Sequence, residues 1–334
     1  MSTTTSTAPG KQRRIGFGEI IRKYAILFIL IGLVIILAVL TQGRFLQPTN
    51  LVNIMVQMSP IGIIALGMMF AIITLGIDLS VGATVGLAAV ISASLAQVSN
   101  VDNAFYPGLV LPIIVPVLAG ILTGTLVGAI NGSLIAGFRI PPFIATLGMM
   151  TAARGAALMY TDGRPISRLA PGFNFLGQGS ILGIPVPIWI FAGCVVVVWI
   201  ILNRTRFGRH IYAIGGNEQA ARVSGINIQK SQFFIYTLIG TLAGVAGVIV
   251  AGRIGSGNPQ LGMTMELDVI TATVIGGTSF KGGVGMVWGV VVGALLLGVI
   301  NNGLDLMNVS PFMQMIVKGV IIVIAIIIDE RKNR

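Results

Sequence analysis

The chain is poor in charge. Asp, Glu, Lys and Arg make up 9% of its 334 residues, where an ordinary soluble protein carries roughly 25%. It has one cysteine, Cys194, which excludes an intrachain disulfide and a thiolate metal cluster. It has one histidine, His210, which excludes a histidine-rich metal centre and the HExxH zinc motif. No GxxxxGK(S/T) stretch occurs, so the chain brings no phosphate-cradling loop of its own. Gly283-Val284-Gly285 opens like a dinucleotide fingerprint, but Trp288 stands where the third glycine belongs. Without a second histidine or cysteine, no convergent catalytic set is assembled.

What the sequence has is apolar surface. Hydrophobic residues account for 55% and the mean hydropathy is +0.95. So few charges cannot cover that much apolar area in water, so lipid is the solvent for most of the chain. At about 20 residues per crossing helix, the length holds ten crossings with loops and tails to spare. Apolar stretches lie near 24–42, 52–75, 80–98, 108–136, 142–160, 186–203, 230–252, 266–280, 286–304 and 312–328. The stretch 266–280 is the shortest and is glycine-rich. The expected fold is an all-α polytopic membrane protein of about ten transmembrane helices. Residues 1–20 read as a flexible basic cytoplasmic tail, 21–330 as one transmembrane domain and 331–334 as a second tail. The first 20 residues are not expected to form a signal peptide, because the far end of the span that follows, TQGRFLQPTN, has no small-residue cleavage site.

The net charge of +11 raises nucleic acid as a partner, and its distribution answers the question. With a cytoplasmic N-terminus and ten crossings, Arg44, Arg164, Arg168 and Arg253 fall outside, and Arg154 and Lys318 fall within spans. The other fifteen basic residues, among them Arg139, Arg204, Arg206, Arg209, Arg222, Lys230 and Lys281, fall inside. This positive-inside asymmetry accounts for the charge without nucleic acid and puts both termini in the cytoplasm. At an offset of 170 residues GAINGSLIAGFRIPP (128–142) aligns with GVINNGLDLMNVSPF (298–312). Gly128/Gly298, Ile130/Ile300, Asn131/Asn301, Leu134/Leu304 and Pro141/Pro311 coincide, and the two copies run in opposite directions, an inverted repeat of the transporter kind. Gly240, Gly244 and Gly247, with Gly289, Gly293 and Gly298, have the spacing of close helix packing.

The longest inward loop, 204–229, reads RTRFGRHIYAIGGNEQAARVSGINIQ. Gly215-Gly216 is expected to break the chain, Asn217 to cap a helix, and Glu218 to sit at the positive end of its dipole. Gln219 to Ser224 then make a short polar helix that Gly225 ends. Such a helix docks into a groove on a partner protein. The alternative is an amphipathic helix on the lipid surface, but it lacks an aromatic or leucine face to insert.

AIGGNEQAARVSGIN closely resembles the cytoplasmic coupling loop of bacterial ABC importer permeases for monosaccharides, the ribose and galactose type. GIDLSVG (76–82), PPFIATLGMM (141–150), ELDVITATVIGGTSFKGGVG (266–285), NNGL (301–304) and QMIVKG (314–319) resemble segments of the same family, in the same order. The resemblance runs from about residue 20 to 330. It implies a permease subunit of the bacterial inner membrane that is not itself an enzyme and works beside a second copy of itself. The implied partners are a cytoplasmic ABC ATPase, usually two fused modules, which binds the ATP and Mg, and a periplasmic sugar-binding protein. No cofactor is implied for this chain. Carried over residue by residue, the ATPase-coupling element is Gly216, Asn217, Glu218, Ala220, Ala221, Ser224 and Gly225. Lys281 departs from the small or polar residue expected at its position.

Other polar residues carry two readings each. Asp78 and Ser80 hold a broken helix or lie near a gate, unless Asp78 simply caps the third span. Asn131, Asn301 and Asn302 line a sugar path, amides pairing with hydroxyls, or bond helix to helix. Glu266 and Asp268 are expected to cap or contact the binding protein, and Arg154 and Lys318 to snorkel or pair within the bundle. The expected function is alternating-access import of a monosaccharide, ribose or galactose favoured. The rivals are an ABC permease for inositol, a nucleoside, an autoinducer or a branched-chain amino acid, and an ion-coupled secondary transporter.

Overall fold

Proline starts several of the long helices and left-handed residues end them. The computed structural model describes residues 17–99 and 104–332, with thirteen α-helices among them. Residues 1–16, most of the expected N-terminal tail, and 333–334 lie outside the described residues. Helices α2 (Pro48–Ile73), α5 (Pro142–Thr161) and α13 (Pro311–Lys332) begin on a proline, whose missing N–H costs nothing in the first turn. Helix α4 (Ile114–Phe138) stops at Arg139 with φ +58°, α5 at Asp162 with φ +51° and α10 (Ile228–Ile254) at Gly255 with φ +69°. The other long helices are α1 (Phe17–Leu40), α7 (Val186–Arg204) and α12 (Val287–Leu306). Helices α3 (Val81–Ala96), α6 (Pro171–Gln178), α8 (Arg206–Gly216), α9 (Glu218–Val223) and α11 (Met265–Ile275) are shorter.

Burial separates helices of equal hydropathy. The most apolar window of α2 has mean hydropathy 2.0 and is 89% buried, while that of α4 has 1.9 and is 33% buried. A helix that is apolar all round belongs in the centre, and α2 is ringed by α7, α10, α11 and α12. On α4, Leu118, Leu122 and Leu126 are exposed; so are Val196, Val197 and Ile200 on α7 and Ile316, Val320 and Val323 on α13. Belts of this kind suit lipid. Among the described residues, six helices (α2, α4, α5, α7, α10 and α12) are long and apolar enough to cross a membrane. Apolar segments 26–40, 81–96 and 311–324 are shorter, and α11 has 11 residues. Along α4 and α10 the backbones touch: a methyl group on Gly128 would lie 2.9 Å from the Gly240 Cα. Small residues permit that approach.

Two clusters of loops close the ends. At one end, β1 (Ile166–Ser167) pairs antiparallel with β4 (Ser256–Gly257), and Gln97 bridges to Leu169. A separate hairpin joins β2 (Ser180–Ile181) to β3 (Ile184–Pro185). At the other end, residues 74–80 and 276–286 fold back toward the helices. The order long, loop, short, long, long occurs twice: α2 to α5 have 26, 16, 25 and 20 residues, and α10 to α13 have 27, 11, 20 and 22.

Each apolar stretch read from the sequence coincides with a helix, to within a few residues at most ends. The glycine pair is different. Gly215 and Gly216 do not break the chain but complete α8, and the break falls at Asn217, with φ −161° and ψ 105°. Helices α6 and α8 are the other elements that hydropathy does not announce.

Candidate coupling surface and the buried helix break

Helix α8 starts where Thr205 Oγ1 accepts from the Gly208 N–H, 3.3 Å. Its buried residues Gly208, Ile211, Ile214 and Gly215 recur every three or four positions, one face of a helix. His210 lies on this helix, half-buried, rather than in an open loop. Helix α9 follows after one residue. Asn217 Oδ1 accepts from the Ala220 N–H at 2.9 Å, and Glu218 pairs with Arg222 at 2.9 Å. Both charged side chains are well exposed, so the pair contributes only about 0.3–0.5 kcal/mol. Ser224 closes the helix, its N–H and hydroxyl both donating to the Ala220 carbonyl, and Gly225 turns the chain at φ +83°.

The two alanines part company. Ala220 points outward, whereas Ala221 is 4% exposed and packs with Ile214 and Ile228, seating α9 on the bundle. A residue the sequence reading missed stands out instead: Val223 is 90% exposed. The signal was a lone valine in the last turn of an otherwise polar helix.

Behind α9 the backbone is in direct contact with the rest of the protein. A methyl group on Gly215 would run into the Ile73 carbonyl at the end of α2, and would lie 2.5 Å from Gly283 N. The Gly283 N–H donates to that same carbonyl at 2.9 Å. Gly283, at φ +70°, adopts a conformation that favours glycine. Tyr212 donates its hydroxyl to the Gly285 carbonyl, 2.7 Å, and burial pushes its phenol pKa up. Lys281 sits on the exposed side of this turn, where a long cation is accommodated.

Ile73 leads into the break at 74–80. Asp78, 1% exposed, accepts at Oδ1 from the Ser80 N–H (2.8 Å) and the Ser80 hydroxyl (2.6 Å). The Asn131 amide on α4 donates to Ser80 Oγ at 2.9 Å and reaches Asp78 Oδ2 at 3.5 Å. Thr146 on α5 donates to the Ile77 carbonyl at 3.4 Å. Asp78 thus organises a turn before α3, whose N-cap residue Ser80 makes no side-chain cap bond, and the turn is tied to α4 through Asn131 and to α5 through Thr146. The Asn131 Oδ1 is buried without a protein partner.

Of the five residues read as pathway or gate, three meet here. The other two do not. Asn302 exchanges two amide hydrogen bonds with Asn50, each 2.8 Å, which staples α12 to α2. Asn301 leaves a buried Oδ1 unpartnered nearby in sequence but away from the break. The in-span charges are paired or bonded: Lys318 meets both Asp268 oxygens at 3.0 Å, and Arg154 donates to the Pro259 and Leu261 carbonyls. Among the described residues no group of three His, Cys, Asp or Glu side chains converges on one point.

A bundle of apolar helices around a buried, hydrogen-bonded break, linked by backbone contacts to a capped helix at its edge, is the architecture of a membrane permease. The family profile described as "Branched-chain amino acid transport system / permease component" matches residues 50–326, and the chain belongs to that family. It is 46% identical over 325 residues to the ribose import permease protein RbsC of Bacillus subtilis, covering 97% of both chains. It is 41% identical over 310 residues to RbsC of Escherichia coli K12, covering 91% of this chain and 93% of that one. To the galactose/methyl galactoside import permease protein MglC of Salmonella typhimurium it is 41% identical over 317 residues, covering 92% and 93%. No solved structure matches.

Proposed function

We propose that the chain is the transmembrane permease subunit of an ATP-driven importer that passes a monosaccharide, ribose or galactose in the first instance, from periplasm to cytoplasm by alternating access. It lies in the bacterial inner membrane beside a second copy of itself. A cytoplasmic ABC ATPase, two fused modules holding the ATP and Mg, works on it from within, and a periplasmic binding protein delivers the sugar. High identity to relatives named for ribose and galactose import supports the substrate class.

The observation that carries the mechanism is the contact chain from the exposed α9 through Gly215 and Gly283 to Ile73 and the break at Asp78. The coupling element is Gly216, Asn217, Glu218, Ala220, Ala221, Ser224 and Gly225, with Ala221 acting by seating the helix. ATP-driven movement of α9 displaces the end of α2, and the Asp78–Ser80–Asn131 cluster is the part of the gate that rearranges. Asn302 flanks the path as a helix-to-helix bond to Asn50, and Asn301 flanks it with its amide oxygen unpartnered.

In this reading α1, α2, α3, α4, α5, α7, α10, α11, α12 and α13 are the ten crossings, and both termini are cytoplasmic. The domain runs from 21 to 330, with cytoplasmic tails at 1–20 and 331–334 and the coupling loop at 204–229. Two facts support the alternation: Gln97, Leu169, Ser167 and Ser256 meet at one end, and Ile73, Gly215 and Gly283 at the other. The recurring helix order of α2–α5 and α10–α13 supports the inverted repeat. The test is reconstitution with the cognate ATPase and binding protein. ATP-dependent monosaccharide uptake is expected; uptake of an amino acid or nucleoside instead would move the assignment to another solute. Uptake driven by an ion gradient without the ATPase would overturn the mechanism.

A further inference from the structure

We propose that Arg204, Arg206 and Arg209, at the corner where α7 turns into α8, hold the phosphate of an anionic phospholipid headgroup and so fix the depth of the arm that carries α9. The inference goes beyond the transport reading and borrows from it only the cytoplasmic placement of the 204–229 loop.

The corner begins on a lipid-facing stripe. Val196, Val197 and Ile200 are exposed along α7. Arg204 is exposed one turn beyond Ile200 and two beyond Val197, so it ends the same stripe. Its guanidinium carbon lies 5.3 Å from the centroid of the Trp199 ring. An arginine over a tryptophan at the end of an apolar span sits where acyl chains give way to headgroups.

Helix α8 fixes the depth independently. Phe207 stacks on Phe70, ring centroids 6.2 Å apart, and meets Phe234 edge-on at 6.3 Å. Phe70 lies one turn before the end of α2, so α8 starts level with that turn rather than below the bundle. Helix α2 has 26 residues, more than the ~20 that cross the hydrocarbon core, and the excess puts its last turn at headgroup level. With Phe207, Gly208, Ile211 and Ile214 turned to the bundle, Arg206 and Arg209 stand exposed on the opposite side, one turn apart.

The third observation is the charge left over. Among the described residues, Arg206 and Arg209 make no hydrogen bond or ion pair with protein, and Arg204 makes only its ring contact. The loop 204–229 has a single acid, Glu218, and Arg222 takes it at 2.9 Å. Three adjacent cations repel one another until an anion joins them. Guanidinium forks match phosphate oxygens, and basic residues at the membrane surface draw anionic lipid. The ATPase-coupling residues begin at Gly216, about 15 Å from Arg206 along α8, so the corner and the partner surface occupy opposite ends of one helix.

Trp199 reports on the site. In a Trp189→Phe, Trp288→Phe background it is the sole tryptophan. The transporter, assembled with its ATPase and binding protein, is placed in phosphatidylcholine nanodiscs containing increasing amounts of brominated phosphatidylglycerol or, in parallel, of brominated phosphatidylcholine. Half-quenching is expected at on the order of tenfold less phosphatidylglycerol than phosphatidylcholine. The preference is expected to vanish on the combined change Arg204→Gln, Arg206→Gln, Arg209→Gln, with the phosphatidylcholine series correcting for any altered exposure of Trp199. Equal quenching by the two lipids in the unaltered corner would overturn the proposal. So would a preference that survives the glutamine changes, or one that inorganic phosphate abolishes, which would mean a site for the free anion. If the glutamine changes release the ATPase in phosphatidylcholine alone, the corner belongs to the ATPase and the proposal fails. The discs carry the same lipid in both leaflets, so a reversed topology would sink the transport reading and leave this result unchanged.

Discussion

Replacing Gly215 with alanine tests the contact chain at its tightest point. The new methyl would collide with the Ile73 carbonyl and lie 2.5 Å from Gly283 N, where ordinary contact begins near 3.4 Å. Both obstacles are backbone, so neither can rotate away, and α8 has to retreat by about 1 Å. That retreat opens the seam in which the Gly283 N–H bonds to Ile73 at 2.9 Å. Overpacking of this kind costs roughly 1–3 kcal/mol, and loss of the hydrogen bond adds about 0.5–1.5 kcal/mol. A total of about 1.5–4.5 kcal/mol would loosen α8 and α9 from α2 without touching the outward face of α9. The expected phenotype is uncoupling. The variant inserts and co-purifies with the ATPase, ATP hydrolysis persists, and sugar uptake per ATP falls by tenfold or more. The neighbouring Gly216→Ala meets open space. It should leave the melting temperature of the purified permease unchanged or raise it, since alanine is favoured over glycine in a helix by about 1 kcal/mol. If Gly215→Ala transports sugar with wild-type efficiency, or if the two variants melt alike, the seam transmits nothing and the reasoning is refuted.

Glu218→Lys removes the pair with Arg222 and sets a cation at the positive end of the α9 dipole, costing about 0.3–1 kcal/mol in the helix. Normal insertion with reduced ATPase co-purification and uptake is expected; improved binding to anionic lipid with full uptake would mean α9 is a membrane-surface helix. Ala221→Trp should act by unseating α9 from Ile214 and Ile228, so its protease sensitivity between 205 and 227 should rise even in the permease alone. Asn302→Ala strands the Asn50 Oδ1, while its Nδ2 keeps the Phe45 carbonyl, at a cost of about 1–3 kcal/mol, and the double change Asn50→Leu, Asn302→Leu should regain part of the lost thermal stability; no loss on the single change would contradict the stapling role. Reporters fused after Arg334 and inserted near Gly216 should face the cytoplasm and one near Gly172 the periplasm, and a reversal at any of the three would break the ten-crossing topology.

Hydropathy and length made the long helices legible, because an apolar run of 20 residues has few other uses. The cap at Asn217 and the turn at Gly225 were legible for a related reason: each residue type does one local job well. Helix α8 was not, because its buried face is built from Gly208, Ile211, Ile214 and Gly215 among arginines, and two of those four have no side chain to register. The seam itself is glycine against carbonyl, so its contacts leave no chemical signature in the residue types. Asp78 and Ser80 stand two apart, and their turn is readable. Their bond to Asn131 crosses 51 residues and depends on how α3 packs against α4. The same limit applies to Asn302, whose amide reads equally well as a path-lining group or a staple until its neighbour Asn50 is known.

The position of α2 also sets a timetable for biosynthesis. This helix is made early, yet the helices that wall it in (α7, α10, α11 and α12) end at residue 306, about 230 residues later. At ~5–20 residues per second that is a wait of roughly 10–50 s. Being apolar on every side, α2 can spend the interval surrounded by lipid at little cost, whereas an amphipathic helix would expose a polar face. Asn50, at its start, and the Ile73 carbonyl, at its end, wait for the far part of the chain to supply their partners. The helix that ends up deepest in the protein is thus composed so that it can first live as a guest of the bilayer, and the last-made third of the chain decides when it leaves.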